Sequence, residues 1–213
     1  MAEQVARERL AAVAREQAGY VTTAQARRLG LKSGDLGRMA RRNDLRRVRH
    51  GVYAFPGSFP SPREETVVAW LRLHGDRLPW DRGDPAAVVS HASAADVHGF
   101  GTFVPAAPTF TVFRRRFQPA DESIRIYTAR LDPTDWQWVL LPEGIKLAVT
   151  TPARTVVDLA FAGEERDHVL DAVAEAREAG LADDDEIGEA VDRRAARRGR
   201  GSIRWLRDAV DRT

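Results

Sequence analysis

Residues 20–55 place one glycine where a helix would end and another where a hairpin would turn, and this order constrains the fold strongly. Two polar, helix-like stretches are separated by a turn at Gly30, and two strand-like stretches follow that are joined at Gly51. Glycine can end a helix in the left-handed conformation, and it can take the positive φ that a tight hairpin needs. Helix, turn, helix and hairpin in this order predict a helix-turn-helix unit followed by a β-ribbon wing.

Apolar periodicity and capping residues predict the bounds of these elements. The first helix is expected to end at Gly19, and Ser33 is expected to cap the helix that follows the turn. The predicted elements are a helix over residues 3–18, an extended Tyr20-Val21, a helix that begins at Thr22 or Thr23 and runs to Leu29, a helix from Ser33 to about Asn43, and strands over residues 45–48 and 52–55.

Positive charge is concentrated in the same part of the chain. The whole chain carries a formal charge of +2, but residues 1–57 hold twelve basic and five acidic side chains and therefore carry +7. A basic surface of this kind attracts polyanions at physiological salt. Because the chain uses 31 Arg and only two Lys, a bias that can reflect genome composition, the clustering is more informative than the abundance.

In a helix-turn-helix unit the second helix reads bases in the major groove, and flanking groups hold phosphates. Arg38 is suited to bridge guanine O6 and N7, and Asp35 is suited to accept a hydrogen bond from cytosine N4. Gly34 and Gly37 let the backbone approach the duplex closely. The predicted DNA contacts are Thr23 and Gln25 before the turn, Lys32, Ser33, Arg38, Arg41 and Arg42 on the following helix, and Arg46, Arg47, Arg49 and His50 in the wing. The alternative is that these arginines form an ordinary solvated face.

Residues 55–62 contain three prolines, a glycine and two serines, which disfavour helix and strand and indicate a connection between domains. We therefore predict an α+β chain, with a winged helix-turn-helix domain over residues 1–57 and a mixed α/β domain that ends in helices over residues 62–213. The elements expected in the second domain are helices over 62–74 and 91–98 (the latter capped by Ser90 and preceded by the strand Val88-Val89), strands over 109–117, 124–130, 138–141 and 145–149, a helix over 152–162 capped by Thr151, and two or three more helices.

Several functional classes are disfavoured by what the sequence lacks. There is no cysteine, no apolar run near eighteen residues and no signal-peptide pattern, so we expect a cytoplasmic protein without a membrane partner. Nucleophile-elbow, P-loop and H-E-x-x-H motifs are absent. His91 and His98 nearly share a helix face but have only Asp96 as a nearby carboxylate, and Glu143 and Lys146 miss the E-x-K spacing of many nucleases. We therefore expect no enzyme, no metal and no cofactor.

The last fifty residues contain two blocks of charge. Residues 164–192 hold twelve acids against two arginines, and five arginines follow at once: Arg193, Arg194, Arg197, Arg198 and Arg200. Two solvated helix faces are the simpler interpretation and the one that we favour. The alternative is an acidic surface for a basic partner beside a second contact with nucleic acid.

Three stretches of the sequence resemble AbiEi-type antitoxins of type IV toxin–antitoxin systems. GYVTTAQARRLGLKSGDLGRMARRNDLRRVRHGVYAFPG is similar to the winged-helix domain of that family, and its hairpin ends as RHGVYAFPG. VVSHASAADVHGF and LAVTTPARTVVDLAFAG resemble the second, antitoxin domain. Together these stretches span most of the chain.

The resemblance implies a repressor that binds double-stranded promoter DNA of its own operon. It also implies a neighbouring nucleotidyltransferase-like toxin, which the second domain helps to counteract directly or functionally. By analogy, Lys32, Ser33, Arg38, Arg41, Arg42, Arg46, Arg47 and Arg49 face DNA. Thr151, Pro152, Arg154, Thr155 and Asp158 form the second motif, for which we expect a structural role, since Arg154 and Asp158 are spaced to pair across one helical turn.

Two alternatives from other classes remain open at this point. The chain can be a protein-interaction module that neutralises a toxin directly without sequence-specific DNA binding, with the acidic tail as the binding surface. It can also be a degenerate nuclease, because related motifs occur in winged-helix proteins that continue into a nuclease domain. Binding of the chain's own upstream DNA and metal-dependent cleavage assays separate these possibilities.

Overall fold

The computed structural model describes residues 2–58, 60–81, 83–113, 123–198 and 203–211. Within these ranges the chain has the α+β architecture that the sequence predicts. Its contacts divide it into two compact units, the first made of Met1–Ala87 with Trp138–Leu147 and the second of Val88–Gln137 with Ala148–Thr213.

The N-terminal elements follow the winged-helix order, as predicted. They are α1 (Ala2–Arg15), β1 (Tyr20–Thr22), α2 (Thr23–Arg28), α3 (Asp35–Arg41), β2 (Arg46–Arg49) and β3 (Val52–Ala54), and α4 (Glu64–His74) follows them. Helix α1 ends at Arg15 rather than at residue 18, because Gln17 turns inward and its side-chain amide donates to the carbonyl of Tyr20 at 2.9 Å.

Helix α2 is set by reciprocal hydrogen bonds at its start and by a glycine at its end. The Thr22 hydroxyl accepts from the Gln25 amide nitrogen at 3.0 Å, and the Gln25 side chain accepts from the Thr22 amide nitrogen at 2.9 Å. This capping box satisfies two backbone donors that a helix start otherwise leaves unpaired. Gly30 then takes a φ of +96°, and the amide of Leu31 donates to the carbonyl of Ala26 at 2.9 Å. Gly30 therefore ends the helix in the left-handed conformation, as the sequence predicts.

The prediction that Ser33 caps α3 is wrong. The N-cap position is held by Gly34, with a φ of +91° and no side-chain hydrogen bond, and the helix spans Asp35–Arg41 instead of reaching Asn43. The Asp35 carboxylate instead reaches back to the turn, where its Oδ2 accepts from the Lys32 amide nitrogen at 2.6 Å. The turn is therefore closed by an acid that lies inside the helix.

The three short strands form an antiparallel sheet in the order β1-β3-β2. Arg47 pairs with Tyr53 and Arg49 pairs with Val52, so one extra residue, Val48, bulges out of the wing. A bulge shifts which side of the ribbon each later side chain faces. The sheet and the three helices enclose an apolar core that includes Leu10, Val13, Val21, Leu36, Met39, Leu45 and Tyr53.

The elements after α4 follow the predicted order, which is a strand and a helix, then strands, then helices, and β6 is shorter than the strand predicted over residues 124–130. They are β4 (Ala87–Val89), α5 (His91–His98), β5 (Thr109–Val112), β6 (Arg125–Thr128), β7 (Trp136–Leu140), β8 (Lys146–Thr150), α6 (Pro152–Ala162), α7 (Arg166–Glu178), α8 (Asp184–Arg198) and α9 (Arg204–Val210). The strand order is β6-β5-β4-β8-β7, in which β4 pairs with β8 and β5 with β6 in parallel. Of the strand predicted over residues 109–117, residues 114–117 lie outside the described ranges.

In the second unit α5, α6, α7, α8 and α9 enclose an apolar core that includes Val156, Val157, Leu159, Ile187 and Leu206. Thr151 caps α6 as predicted, its hydroxyl accepting from the Arg154 amide nitrogen at 3.3 Å. Ser90 occupies the N-cap position of α5 but makes no capping bond, because its hydroxyl is shared between His91 Nδ1 and Thr111 Oγ1, each at 2.9 Å.

The predicted connection at residues 55–62 lies inside the first unit. Helix α4 is tied to the winged helix by hydrogen bonds from Tyr20 to Glu64 and from Thr22 to the Gly75 carbonyl, at 2.7 and 3.0 Å. The division of the chain into domains over residues 1–57 and 62–213 stays a prediction.

Candidate nucleic-acid interface

The outer side of α3 is basic and nearly bare of other side chains. Leu36 and Met39 are buried in the core, so Arg38 and Arg41 face solvent, and the half-buried Gly37 lies beside Arg41. A side-chain carbon at Gly37 would meet its nearest neighbours at 3.9 and 4.0 Å, so this strip of backbone is open. An exposed backbone strip flanked by guanidinium groups fits the way in which a recognition helix enters a groove.

Most of the cations predicted to contact DNA have no acidic partner. Four of these cations are exposed and have no carboxylate within 4.0 Å in the described part of the chain: Lys32, Arg41, Arg42 and Arg47. Ser33 is exposed beside Lys32 in the turn. An exposed cation without a carboxylate neighbour can bind a phosphate without first breaking an ion pair.

The proposed base contact by Asp35 does not fit the structure. Its side chain is only 4% exposed, and both carboxylate oxygens are occupied, one by the Lys32 backbone and the other by Arg38. Arg38 keeps 53% of its side chain exposed. The ion pair uses one terminal nitrogen of this guanidinium, Nη2, and Asp35 therefore acts on Arg38 rather than on cytosine.

Gln25 and Thr23 have structural roles that differ from the predicted phosphate contacts. Gln25 is 1% exposed, and its side chain also donates to the Arg77 carbonyl at 2.8 Å. Thr23 is half-buried, and both its amide nitrogen and its hydroxyl donate to the Gly51 carbonyl, at 2.9 and 3.4 Å. We exclude Gln25 and Thr23 from the DNA surface, because their polar groups already have partners inside the fold.

The bulge divides the wing arginines between two faces. Arg46 pairs with Ala54 in the ladder and Arg49 with Val52, so their side chains lie on the same face, whereas Arg47 lies on the other. On its own face Arg47 donates to His50 Nδ1 at 3.2 Å, and both residues are exposed. The wing thus presents Arg47 and His50 together and directs Arg46 and Arg49 elsewhere.

Arg46 and Arg49 are held by two acids at the start of α4. Arg46 donates to Glu64 at 2.8 Å, and Arg49 donates to Glu65 at 3.3 Å. Glu64 also accepts from the Tyr20 hydroxyl at 2.7 Å. Burial raises the pKa of Tyr20 to about 12, and the bond to Glu64 adds to the effect. Burial also raises the pKa of Glu64, but the bonds from Arg46 and Tyr20 outweigh it, so this pKa is lowered overall.

Sequence reasoning missed Glu64 and Glu65 because they follow the predicted domain boundary. The residues between these acids and the wing arginines include a proline-rich stretch that has neither helical nor strand periodicity. It also left out Arg27, which is exposed on α2 and has no carboxylate within ion-pair distance among the described residues. The signal for Glu64 and Glu65 was the pair of adjacent acids in the first turn of a helix next to a basic wing.

The second unit contains buried polar residues but no arrangement typical of a metal site. Across the described ranges no three His, Asp or Glu side chains converge to hold an ion. His91 is stacked on Tyr127, with 3.8 Å between ring centroids, and burial lowers its pKa to about 4 against the opposing effect of Asp158. Burial also lowers the pKa of His98, whose Nε2 donates to the Thr150 carbonyl at 2.7 Å. Both histidines are therefore packed side chains.

The C-terminal arginines whose side chains are described point into the fold. Arg193 donates to Asp135 at 3.2 Å and to Glu189 at 3.1 Å, and Arg194 lies over the ring of Phe161 at 4.8 Å. These contacts do not fit the interpretation as a solvated face for Arg193 and Arg194, because their side chains are only 28% and 10% exposed and lie beside the buried acids Asp135 and Asp158. The side chains of Arg197 and Arg198, and Arg200 as a whole, lie outside the described part. In the described ranges no helix is long and apolar enough to cross a bilayer.

Comparison with known proteins places the N-terminal region in a family. Residues 8–56 match the family model described as "Transcriptional regulator, AbiEi antitoxin". This match confirms the resemblance for the region that contains α1, α2, α3 and the wing. No curated protein sequence matches the chain.

One solved structure shows that the fold extends beyond this region. The crystal structure of the RV2827C protein from Mycobacterium tuberculosis superimposes with a TM-score of 0.52 at 16% identity, over 89% of this chain and 71% of that chain. At this identity the similarity concerns the fold alone.

Proposed function

We propose that this chain, whose residues 8–56 carry the domain of AbiEi-type antitoxin regulators, represses its own promoter and counteracts a nucleotidyltransferase-like toxin encoded beside it. The single observation that supports DNA binding best is the set of exposed cations around α3 that have no carboxylate partner in the described part of the chain. A regulator with a helix of this kind binds duplex DNA through phosphates and reads base edges with a few side chains.

The proposed DNA surface is smaller than the one expected from the sequence. It consists of α3, the turn before it and one face of the wing: Lys32, Ser33, Gly34, Gly37, Arg38, Arg41, Arg42, Arg47 and His50. Arg38 is proposed to read a base, since its guanidinium is oriented by Asp35 and keeps an exposed side. The remaining cations are proposed to hold phosphates.

Titration of the chain's own upstream duplex and of a shuffled duplex of equal length tests the proposal. If about five phosphates are neutralised, the logarithm of the affinity falls against the logarithm of salt concentration with a slope of about −4.5. Tighter binding of the upstream duplex, by a factor of about a thousand or more, is expected of a specific regulator. Equal affinity for both duplexes, or no dependence on salt, contradicts the proposal.

The antitoxin role is tested separately from DNA binding. Co-expression with the neighbouring gene is expected to relieve growth arrest caused by that gene. A variant that lacks the α3 arginines, Arg38→Ala with Arg41→Ala, is expected to lose repression and to keep neutralisation if the second unit carries the antitoxin activity. Loss of neutralisation in this variant, with the toxin expressed from an independent promoter, contradicts that division of roles.

A further inference from the structure

The first turn of α4 pairs two of the three wing arginines with carboxylates. Arg46 donates to Glu64 at 2.8 Å and Arg49 to Glu65 at 3.3 Å, while Arg47 on the opposite face has no carboxylate partner in the described ranges. The bulge at Val48 produces this arrangement, because without it Arg47 and Arg49 would share a face. Among the described residues, one wing arginine thus has no carboxylate partner, whereas the other two are paired.

We propose that Glu64 and Glu65 mask Arg46 and Arg49 from phosphates and thereby weaken sequence-independent DNA binding by the wing. This inference rests on the proposed function, since it concerns the strength of the same DNA surface. Each masked arginine gives an N–H donor and part of its positive charge to a carboxylate, so the carboxylates and the DNA compete for the same guanidinium groups. In this arrangement the affinity for a duplex depends mainly on α3, its turn and Arg47.

Glu64 is the stronger mask because the fold holds it in place. Its carboxylate also accepts from the hydroxyl of Tyr20, which is 2% exposed, so Glu64 cannot swing away without leaving that hydroxyl unpaired. Only 22% of the Glu64 side chain is exposed, whereas 72% of the Glu65 side chain is exposed. The bond from Arg49 to Glu65 is also the longer one, so the release of Arg49 is expected to have the smaller effect.

Stabilisation of the fold does not account for the Arg49–Glu65 pair. Its side chains are 40% and 72% exposed, and exposed pairs of this kind contribute little to folding stability. The Arg46–Glu64 pair is more enclosed and also satisfies Tyr20, so it has a structural role besides its effect on charge. The effect of both pairs on a ligand that carries the same charge as the acids is direct. The two carboxylates lower the positive potential of the wing where phosphates would approach.

The experiment compares Glu64→Gln, Glu65→Gln and the double variant with wild type in binding to a shuffled duplex across a range of salt concentrations. Glutamine keeps the acceptor for Tyr20 and removes the charge. We expect Glu64→Gln to bind up to about fivefold more tightly and the double variant to bind more tightly still. The salt dependence is expected to steepen by up to about 0.9 for each arginine released.

Asp44→Asn is the matched control for net charge. Asp44 is exposed two residues before Arg46, and no cationic side chain in the described part of the chain pairs with it. The substitution removes one negative charge near the surface, as Glu64→Gln does, but it releases no arginine. If Glu64→Gln gains no more affinity than Asp44→Asn, or loses affinity, the inference is overturned; a loss would mean that Glu64 positions Arg46 for DNA.

A further pair of variants tests whether the gain in affinity from Glu64→Gln depends on Arg46. In a chain that carries Arg46→Gln, the additional change Glu64→Gln is expected to give no further gain, because the masked group is gone. A full gain in that background overturns the inference. Wild-type protein that binds no duplex at low salt overturns the proposed function and this inference together, whereas wild-type binding that the glutamine variants leave unchanged overturns the inference alone.

Discussion

Arg154 and Asp158 pair across one turn of α6, with 2.9 Å between Nε and Oδ1, although each side chain is only 1% exposed. This pair is the one expected from their spacing, and it is confirmed. The structure adds a partner that the sequence did not indicate, because the same guanidinium donates to Asp135 at 2.8 Å. Arg154 therefore neutralises two buried carboxylates that are distant in the sequence.

Replacement of Arg154 by Met is expected to destabilise the fold by about 3 kcal/mol, because Asp135 and Asp158 lose a buried cation while Arg193 still pairs with Asp135. Chemical denaturation measures the loss. Arg7→Met is the control, since Arg7 pairs with Glu3 at the same i, i+4 spacing on the surface of α1, where about 0.5 kcal/mol is expected. Similar losses for the two variants would show that the buried network contributes no more than a surface pair.

Acidification is expected to destabilise the chain through His91. Since burial lowers the pKa of His91 to about 4, the unfolded chain binds the proton first as the pH falls. The stability that depends on neutral His91 is therefore present above about pH 6.5 and is lost between about pH 6.5 and 4, by up to about 3 kcal/mol.

The variant His91→Asn tests this pH dependence. Asparagine tolerates the φ of +54° at this position, so the backbone does not have to change. Unfolding free energies at pH 7 and pH 4.5 are expected to differ less in this variant than in wild type. His168→Asn, in which an exposed histidine on α7 is replaced, is the control. An unchanged pH difference in His91→Asn would assign the acid sensitivity to other groups.

Arg47 is expected to contribute more to DNA binding than Arg49, although both belong to the same strand. Arg47→Gln should weaken the upstream and shuffled duplexes equally and reduce the salt slope by about 0.9, because a phosphate contact carries no sequence information. Arg49→Gln should have a smaller effect, since Glu65 already pairs with this arginine. Anisotropy titrations at several salt concentrations provide the comparison, and a larger loss for Arg49→Gln would reverse the assignment of the two wing faces.

Gly37→Ala is expected to raise the stability of the fold and to lower its affinity for DNA. The new methyl group makes ordinary contacts, and replacing a glycine inside a helix stabilises a protein by about 0.5–1 kcal/mol. The same methyl group occupies the strip of α3 that is proposed to approach the duplex, so the affinity should fall. Val5→Ala on the exposed side of α1 is a control that improves helix propensity elsewhere. If Gly37→Ala gains stability and keeps full affinity, α3 does not approach the DNA backbone closely.

The features that the sequence predicted well depend on near neighbours. Thr22, Gly30 and Gly51 act through bonds and φ values within a few residues of themselves, so their types and positions were sufficient to predict the helix start, the turn and the hairpin. The Arg154–Asp158 pair belongs to the same class. Helix bounds were less accurate, as in α3, where Gly34 rather than Ser33 occupies the N-cap position.

The features that the sequence did not reveal depend on which elements pack together. Gln25 has the composition of a surface residue, but it is buried, because the fold provides Gln17 and the Arg77 carbonyl as partners. The charge on Arg46 and Arg49 was visible, whereas the acids that neutralise it follow a proline-rich stretch. A bulge of one residue at Val48 decides which arginines meet those acids, and no periodic pattern marks it.

The hydrogen bond from the Thr23 amide to the Gly51 carbonyl joins the start of α2 to the turn of the wing through main-chain atoms alone. Side chains at neighbouring positions in the turn can therefore be exchanged without loss of this attachment. Exchange of His50 or Arg49 is expected to change the charge of the wing while its turn stays attached to the start of α2.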